Sequence, residues 1–296
     1  MVTDLLPDWM RAARDRAPLY RIVADRSPAY WHDPDDLSAT AASLDDPFGG
    51  RHDPSRPPVV FPQLARDLPL FWALDAGDLD RMARELASSW IELGIVPDER
   101  VALYDYSSSP IVAYASRAFM PHLEQGAADL LSCLPICNDG LPELADRCAH
   151  ILEYVRPSTL FIDLDVVEPL LRAIDRSTPR PQRLVVTADE RPAPPDQIEG
   201  WQGALGAPVT QMLRCDTALF FAPPCPVQPL TFHPSPAFVV EARAPDGPDF
   251  PGGRIAVTNL AVRSSIVVRY LTGFHGAVHP GECPCGREGA VVISHA

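Results

Sequence analysis

Apolar residues along the chain follow two rhythms. In "DLDRMARELASSWIELGI", Leu79, Met82, Leu86, Trp90 and Leu93 share one face at helical spacing, with Asp78 near the start and Gly94 closing the segment, which predicts an amphipathic helix. Short continuous apolar runs then recur at 101–106, 130–136, 159–164, 183–188 and 209–213, separated by helical patterns. Such β-α-β alternation predicts an α/β fold, a doubly wound and mainly parallel sheet with helices on both faces. Beyond about 220 the texture changes to "AFVVEARAPD", "GRIAVTNLAV", "SIVVRYLTG" and "GAVVISHA", which predicts a small C-terminal antiparallel β subdomain. At the N-terminus, "LLPDWMRAARDRA" reads as one or two amphipathic helices, and "HDPDDLSATAASLDDPFGGRHDPSRPP" reads as irregular loop. The expected division is therefore 1–60, 61–222 and 223–296.

Composition narrows the chemistry. With 296 residues, 46% of them hydrophobic, the chain can bury a sizeable core. No apolar stretch approaches the roughly 18 uncharged residues of a membrane span, and the N-terminus lacks the charged-then-apolar order of a signal peptide, so the expected location is cytoplasmic, with no membrane association. A net charge of −14 without clustered basic residues argues against a nucleic-acid partner. All 25 basic residues are arginine and none is lysine. Schiff-base chemistry, pyridoxal phosphate attachment and a phosphate-loop lysine all need an amine that guanidinium does not replace. Seven cysteines read as buried thiols plus a metal site, not as a disulfide framework. Of these, Cys133 and Cys137 read as buried strand thiols. The "DYSSSP" run, Asp105 to Pro110, ends a predicted strand where doubly wound folds bind ligands, or else caps a helix through Ser107, Ser108 or Ser109.

The order "RIAVTNL", "SIVVRYLTG", "CPCGR" resembles the end of the large domain in the phenylacetate-CoA-ligase-like branch of the adenylate-forming (acyl-CoA synthetase) superfamily. Tails of that branch read roughly Gly-Glu-Leu-Val-x-Thr-x-Leu, then Arg-Tyr-Arg-Thr-Gly-Asp, then Cys-x-Cys-Gly-Arg. Upstream, "ELGIVPDERVALYDY" is similar to the segment after the family's phosphate loop, and "SPAYWHDPDDL" to its N-terminal helix region.

Departures from the family pattern are as informative as the matches. The stretch that corresponds to the phosphate loop, residues 51–76, has no glycine or threonine, one serine and five prolines, so it lacks the small residues that let backbone N–H groups cradle an anion. The adenine-side motif corresponds to "MLRCDTA", with Asp216 and Thr217; the ribose-binding aspartate after Thr-Gly corresponds to Phe274; and the chain ends at "GREGAVVISHA", ahead of the hinge and mobile domain that carry the family's lysine. The expectation is a degenerate ligase-like protein, unable to adenylate alone. It would bind an acyl or aromatic small molecule, a partner protein or a second copy of itself. The alternative is an AMP-forming acyl- or aryl-CoA ligase or acyl-transfer enzyme with a reshaped pocket, or a subunit completed by another chain.

The resemblance also implies a metal. Cys225 and His233 in "CPVQPLTFH" are similar to a Cys…His pair of that branch, and with Cys283 and Cys285 they make three thiolates and one imidazole, a closed tetrahedral set suited to structural zinc. His275 and His279 are the runner-up ligands. The competing reading is a free dithiol turn with Cys225 simply buried.

Overall fold

The computed structural model describes residues 6–27, 29–243 and 252–293; the ends of the expected strands at 244–246 and 294–296, and His295, lie outside them. Helices α1 (Leu6–Arg16) and α2 (Pro18–Arg26) are followed by α3 (Pro34–Leu44), which forms inside the stretch expected to be loop. The cause is local. Asp33 caps α3 by accepting from the amides of Asp35 and Asp36 at 3.0 and 3.2 Å, and the Asp36 carboxylate reaches back to the Asp33 amide at 3.3 Å. Pro34 occupies the first helical turn, where its missing N–H leaves no bond unmade. Asp-Pro-Asp-Asp therefore starts a helix instead of breaking one.

A short hairpin, β1 (Gln63–Ala65) and β2 (Leu68–Phe71), leads into α4 (Ala76–Glu92). Its predicted face is buried: Leu79, Met82, Leu86 and Trp90 are inaccessible, and Trp90 stacks on Phe161 at 5.3 Å. Asp75 is the cap, accepting the Asp78 amide at 2.8 Å. Asp78 itself is buried and accepts the amides of Arg263 and Ser264 at 2.8 and 3.0 Å, which fastens the helix to the C-terminal region.

Strands β3 (Arg100–Tyr104), β4 (Leu134–Asn138), β5 (Thr159–Asp163), β6 (Arg183–Asp189) and β7 (Val209–Cys215) form the parallel sheet, with β8 (Phe220–Ala222) antiparallel at one edge; the order is β4-β3-β5-β6-β7-β8. Between them lie α5 (Pro110–Ala113), α6 (Ala127–Leu131), α7 (Ala145–Tyr154), α8 (Leu164–Ala173) and α9 (Pro195–Leu205). Four of the five expected strands coincide with these. The fifth begins late, because Leu130 and Leu131 finish α6, whose start is held by Asp129 accepting the Gly126 amide at 2.8 Å.

Successive strand residues feed opposite faces, as a period of two requires. Val101, Leu103, Phe161 and Val185 enter a core shared with α4 and the C-terminal sheet, while Ala102, Tyr104, Leu160, Ile162, Leu184 and Val186 pack under α7, α8 and α9. Continuous apolar runs are thus explained by burial on both sides. Because β3 is flanked by β4 on one side and β5 on the other, the winding reverses between β3 and β5, and a crevice opens at their carboxyl ends.

The second sheet has β9 (Thr231–Phe232), β10 (Phe238–Arg243), β11 (Gly253–Asn259), β12 (Val267–Glu282) and β13 (Glu288–Ile293) in the order β10-β11-β12-β13-β9, all antiparallel. Among the described residues no helix is long and apolar enough to cross a membrane.

Candidate functional site

Sheet pairing brings the cysteine-bearing segments together. Strand β13 pairs with β9, Val291 opposite Phe232 and Val292 opposite Thr231, so the turn after β12 lies beside the segment that enters β9. Cys225 is fixed on that segment by its amide donating to the Thr231 carbonyl at 2.7 Å, and His233 directly follows β9. Cys283 and Cys285 ride on a turn tied by the Cys283 amide to the Arg287 carbonyl at 2.7 Å and by the Gly286 amide to the Cys283 carbonyl at 2.8 Å. Gly286 adopts φ 84°, a conformation that any Cβ would strain.

The four donors, Cys225, His233, Cys283 and Cys285, lie within 4.8 Å of one another, and the set can hold a metal ion. Cys225 Sγ is 3.7 Å from Cys283 Sγ, and Cys285 Sγ is 3.2 Å from His233 Nε2. Donors arranged tetrahedrally around one ion at ordinary ligand distances are separated by about 3.5 to 3.8 Å, so the observed spacing needs little adjustment. His233 Nδ1 donates to the Gly289 carbonyl at 3.0 Å, which leaves the Nε2 lone pair facing the thiols, the orientation a ligating imidazole needs. Cys225 Sγ also accepts the amides of Val227 and Gln228 at 3.4 and 3.3 Å. Burial works against its ionisation, but the His233 side chain and those amides outweigh it and lower the thiol to about 6. Cys283 moves the other way: the Cys285 amide lowers it, but burial and the neighbouring Cys285 and Cys225 thiols together raise it. Cys225, Cys283 and Ala290 form a small apolar cluster of their own, apart from the two main cores. Neither His275 nor His279, both on β12, joins the donor set; of the two thiols expected to be buried on a strand, Cys133 is buried but precedes β4, and Cys137 lies on β4, at an edge of the parallel sheet, but is half-buried.

A second cluster sits at the carboxyl ends of the parallel strands. Arg214, fully buried on β7, pairs with Asp105 just after β3, and its Nη2 donates to Asp163 at the end of β5 at 3.0 Å. Its Nε lies 3.0 Å from Asp216 Oδ1 but off the hydrogen-bond axis. Burial raises Asp105 to about 7 despite Arg214, and burial with the nearby Asp105 pushes Asp216 well above the ordinary carboxylate range. Sequence reasoning placed "DYSSSP" here for either of two roles, and the structure divides them: Ser109 caps α5 by accepting the Val112 amide at 3.3 Å, while Asp105 turns inward to the ion cluster.

Polar groups around the two segments that resemble nucleotide motifs, at 216–217 and 272–274, bond internally. The Gly273 amide donates to Glu190 Oε2 at 2.8 Å, the Thr272 hydroxyl donates to the Ile255 carbonyl at 2.8 Å, and the Thr217 carbonyl accepts from Arg51 Nη1 at 2.8 Å. Phe274 is buried in the main core. Within 51–76, the amides of Asp53, Val59 and Trp72 donate to the carbonyls of Ser264, Leu74 and Pro62 at 2.8 Å each, so they do not converge on a free anion site.

No protein-family model matches the sequence, and no curated protein matches it. Among solved structures, the chain is similar to 2-hydroxyisobutyryl-CoA ligase in its open conformation with 2-HIB-AMP and CoA (TM-score 0.76, 16% identity, 98% of this chain and 67% of the ligase). It is likewise similar to the same enzyme in the postadenylation state with 2-HIB-AMP (TM-score 0.73, 17% identity, 99% and 66%). The chain has the fold of the acyl-CoA ligase large domain. VinN overlaps it less fully, at TM-score 0.50 and 17% identity over 80% of this chain and 59% of that one. At 66–67% coverage, the chain spans about two thirds of the length of the hydroxyisobutyryl-CoA ligase. The ligase fold accounts for the mainly parallel sheet joined to an antiparallel one and agrees with the family resemblance of the sequence.

Proposed function

We propose that this ligase-fold chain does not adenylate on its own and acts as a ligand- or partner-binding subunit whose last β-turns are clipped by a structural zinc. The observation that carries the first part is the internal bonding around the Thr272–Phe274 segment. The Gly273 amide is taken by the Glu190 carboxylate, and Phe274 is buried where the family's ribose-binding aspartate stands. Isothermal titration with ATP and Mg²⁺ tests it: no dissociation constant tighter than about 100 µM, roughly −5.5 kcal/mol, is expected, and a tighter one contradicts the reading.

Zinc is the ion that three thiolates and one imidazole select. Soft donors favour it over the hard cations, and a fourth protein ligand leaves no position for water, so the role is structural. In the small cluster around Cys225 and Cys283, metal bonds add stability that the local apolar area does not supply.

A second copy of the chain or a partner protein fits the exposed apolar residues of the hairpin region. Phe61 is 53% exposed and stacks on Phe48 at 5.6 Å, and Val59 and Phe71, each about two-fifths exposed, belong to the same region of the chain. Light scattering is expected to show a dimer or a complex with a co-purifying protein; a clean monomer with neither contradicts this part.

A further inference from the structure

We infer that the crevice at the carboxyl ends of β3, β5, β6 and β7 binds a small organic cation, an amine or amidine with an aromatic or apolar body. The inference rests on the ligand-binding half of the reading above and is independent of the metal centre. The crevice encloses about 300 Å³, enough for a one-ring compound, and lies where the winding of the sheet reverses.

Charge decides the sign of the ligand. Arg66, Arg191 and Arg214 line the crevice together with Asp67, Asp163, Asp165 and Asp189, and Asp105 and Asp216 press on Arg214 from below. Of the groups that line the crevice itself four are aspartates and three arginines, and displacement of Arg66 leaves four aspartates facing two arginines. Two of the three guanidiniums are already committed. Arg191 grips Asp165 through both carboxylate oxygens at 3.0 and 3.1 Å, and Arg214 is shared among Asp105, Asp163 and Asp216. Neither Arg191 nor Arg214 is therefore available to a carboxylate or phosphate, and Arg66, the more loosely held, lies against the Tyr106 ring. Asp189, by contrast, accepts the Asp216 amide at 2.8 Å, and among the described residues no salt bridge reaches it.

The size of the cation follows from two further observations. A bare divalent ion needs three or more oxygens converging on one point, and the carboxylates that line the crevice do not converge. The Asp189, Glu190 and Cys215 group does converge, but its thiol is spent in donating to Glu190 at 2.7 Å. Meanwhile the chain already seats an organic cation there. Arg66, on the turn of the β1–β2 hairpin, lays its guanidinium over the Tyr106 ring at 4.7 Å and reaches Asp165 at 3.5 Å. Its side chain is 38% exposed and held by that one long pair, so a competing amine or amidine can take its place over the same ring.

Titration of the full chain with benzylammonium and, separately, with benzoate tests the inference. Saturable benzylammonium binding tighter than about 1 mM is expected, with benzoate silent. Asp189→Asn keeps an acceptor for the Asp216 amide and is expected to weaken benzylammonium at least about tenfold at unchanged melting temperature; Arg66→Ala is expected to tighten it, because the internal competitor is gone. Benzylammonium binding that ignores both substitutions reflects the net charge of −14 and overturns the site. Benzoate binding with benzylammonium silent overturns the cation inference but leaves the ligand-binding reading standing, whereas silence of both probes overturns the cation inference and leaves only the partner-binding half of that reading.

Discussion

Replacing Arg214 with methionine is expected to cost about 3 to 5 kcal/mol, because Asp105, Asp163 and Asp216 remain buried with no counter-charge. That is a large share of the roughly 5–15 kcal/mol that holds a domain together. If Arg214→Met does not fold, adding Asp105→Asn and Asp163→Asn is expected to recover stability, since the penalty comes from the orphaned carboxylates and not from lost packing. An Arg214→Met protein within about 1 kcal/mol of the parent in a denaturant titration contradicts this.

The same cluster sets a pH dependence. Asp105 titrates near 7 in the folded chain and in the ordinary carboxylate range when unfolded, so between those values the native state holds the extra proton and stability falls as pH rises. Glu190, raised to about 7 by burial and Asp189, acts in the same direction. His32, held down to about 4 by burial, opposes them, but only up to about 6.5, where the unfolded imidazole titrates. A net loss of stability is therefore expected as pH rises from about 4.5 to 7, since two groups act against one, and Asp105→Asn is expected to lessen it.

Cys283→Ser is expected to release the metal and lower stability by at least about 3 kcal/mol, which for a chain of this size is roughly 5 to 10 °C in melting temperature. Chelation of the unmodified protein is expected to reproduce the loss, while Cys133→Ser, just before β4 and outside the donor set, leaves the metal content unchanged. A Cys283→Ser protein as stable as the parent would falsify the clip.

Much of the fold was legible in the sequence, for a physical reason. Strands buried on both faces must be continuously apolar, and runs such as 159–164 and 183–188 have no other economical placement. The donor set was legible because Cys-Pro-Cys-Gly confines two thiols to one turn. Helix α3 was missed because its start signal, Asp33-Pro34, is written in the residues that also mark loops. The ion cluster was missed because pairing across a parallel sheet joins residues far apart in the chain, Asp105 to Arg214 and Asp163 to Arg214. A signal was present all the same. The runs 101–106 and 159–164 each carry an aspartate as the last residue but one, and the runs 183–188 and 209–213 are followed at once by Asp189 and Arg214, so the carboxyl edge of the sheet was already charged in the sequence.

X-ray absorption on protein purified without chelator, combined with elemental analysis, addresses the metal centre and its role in one sample. About one zinc per chain is expected, in a closed shell of three sulfurs at about 2.3 Å and one nitrogen at about 2.0 Å, with no oxygen. Less than about half an equivalent of zinc, or a shell containing water oxygen in place of a thiolate, contradicts a structural zinc held by Cys225, His233, Cys283 and Cys285.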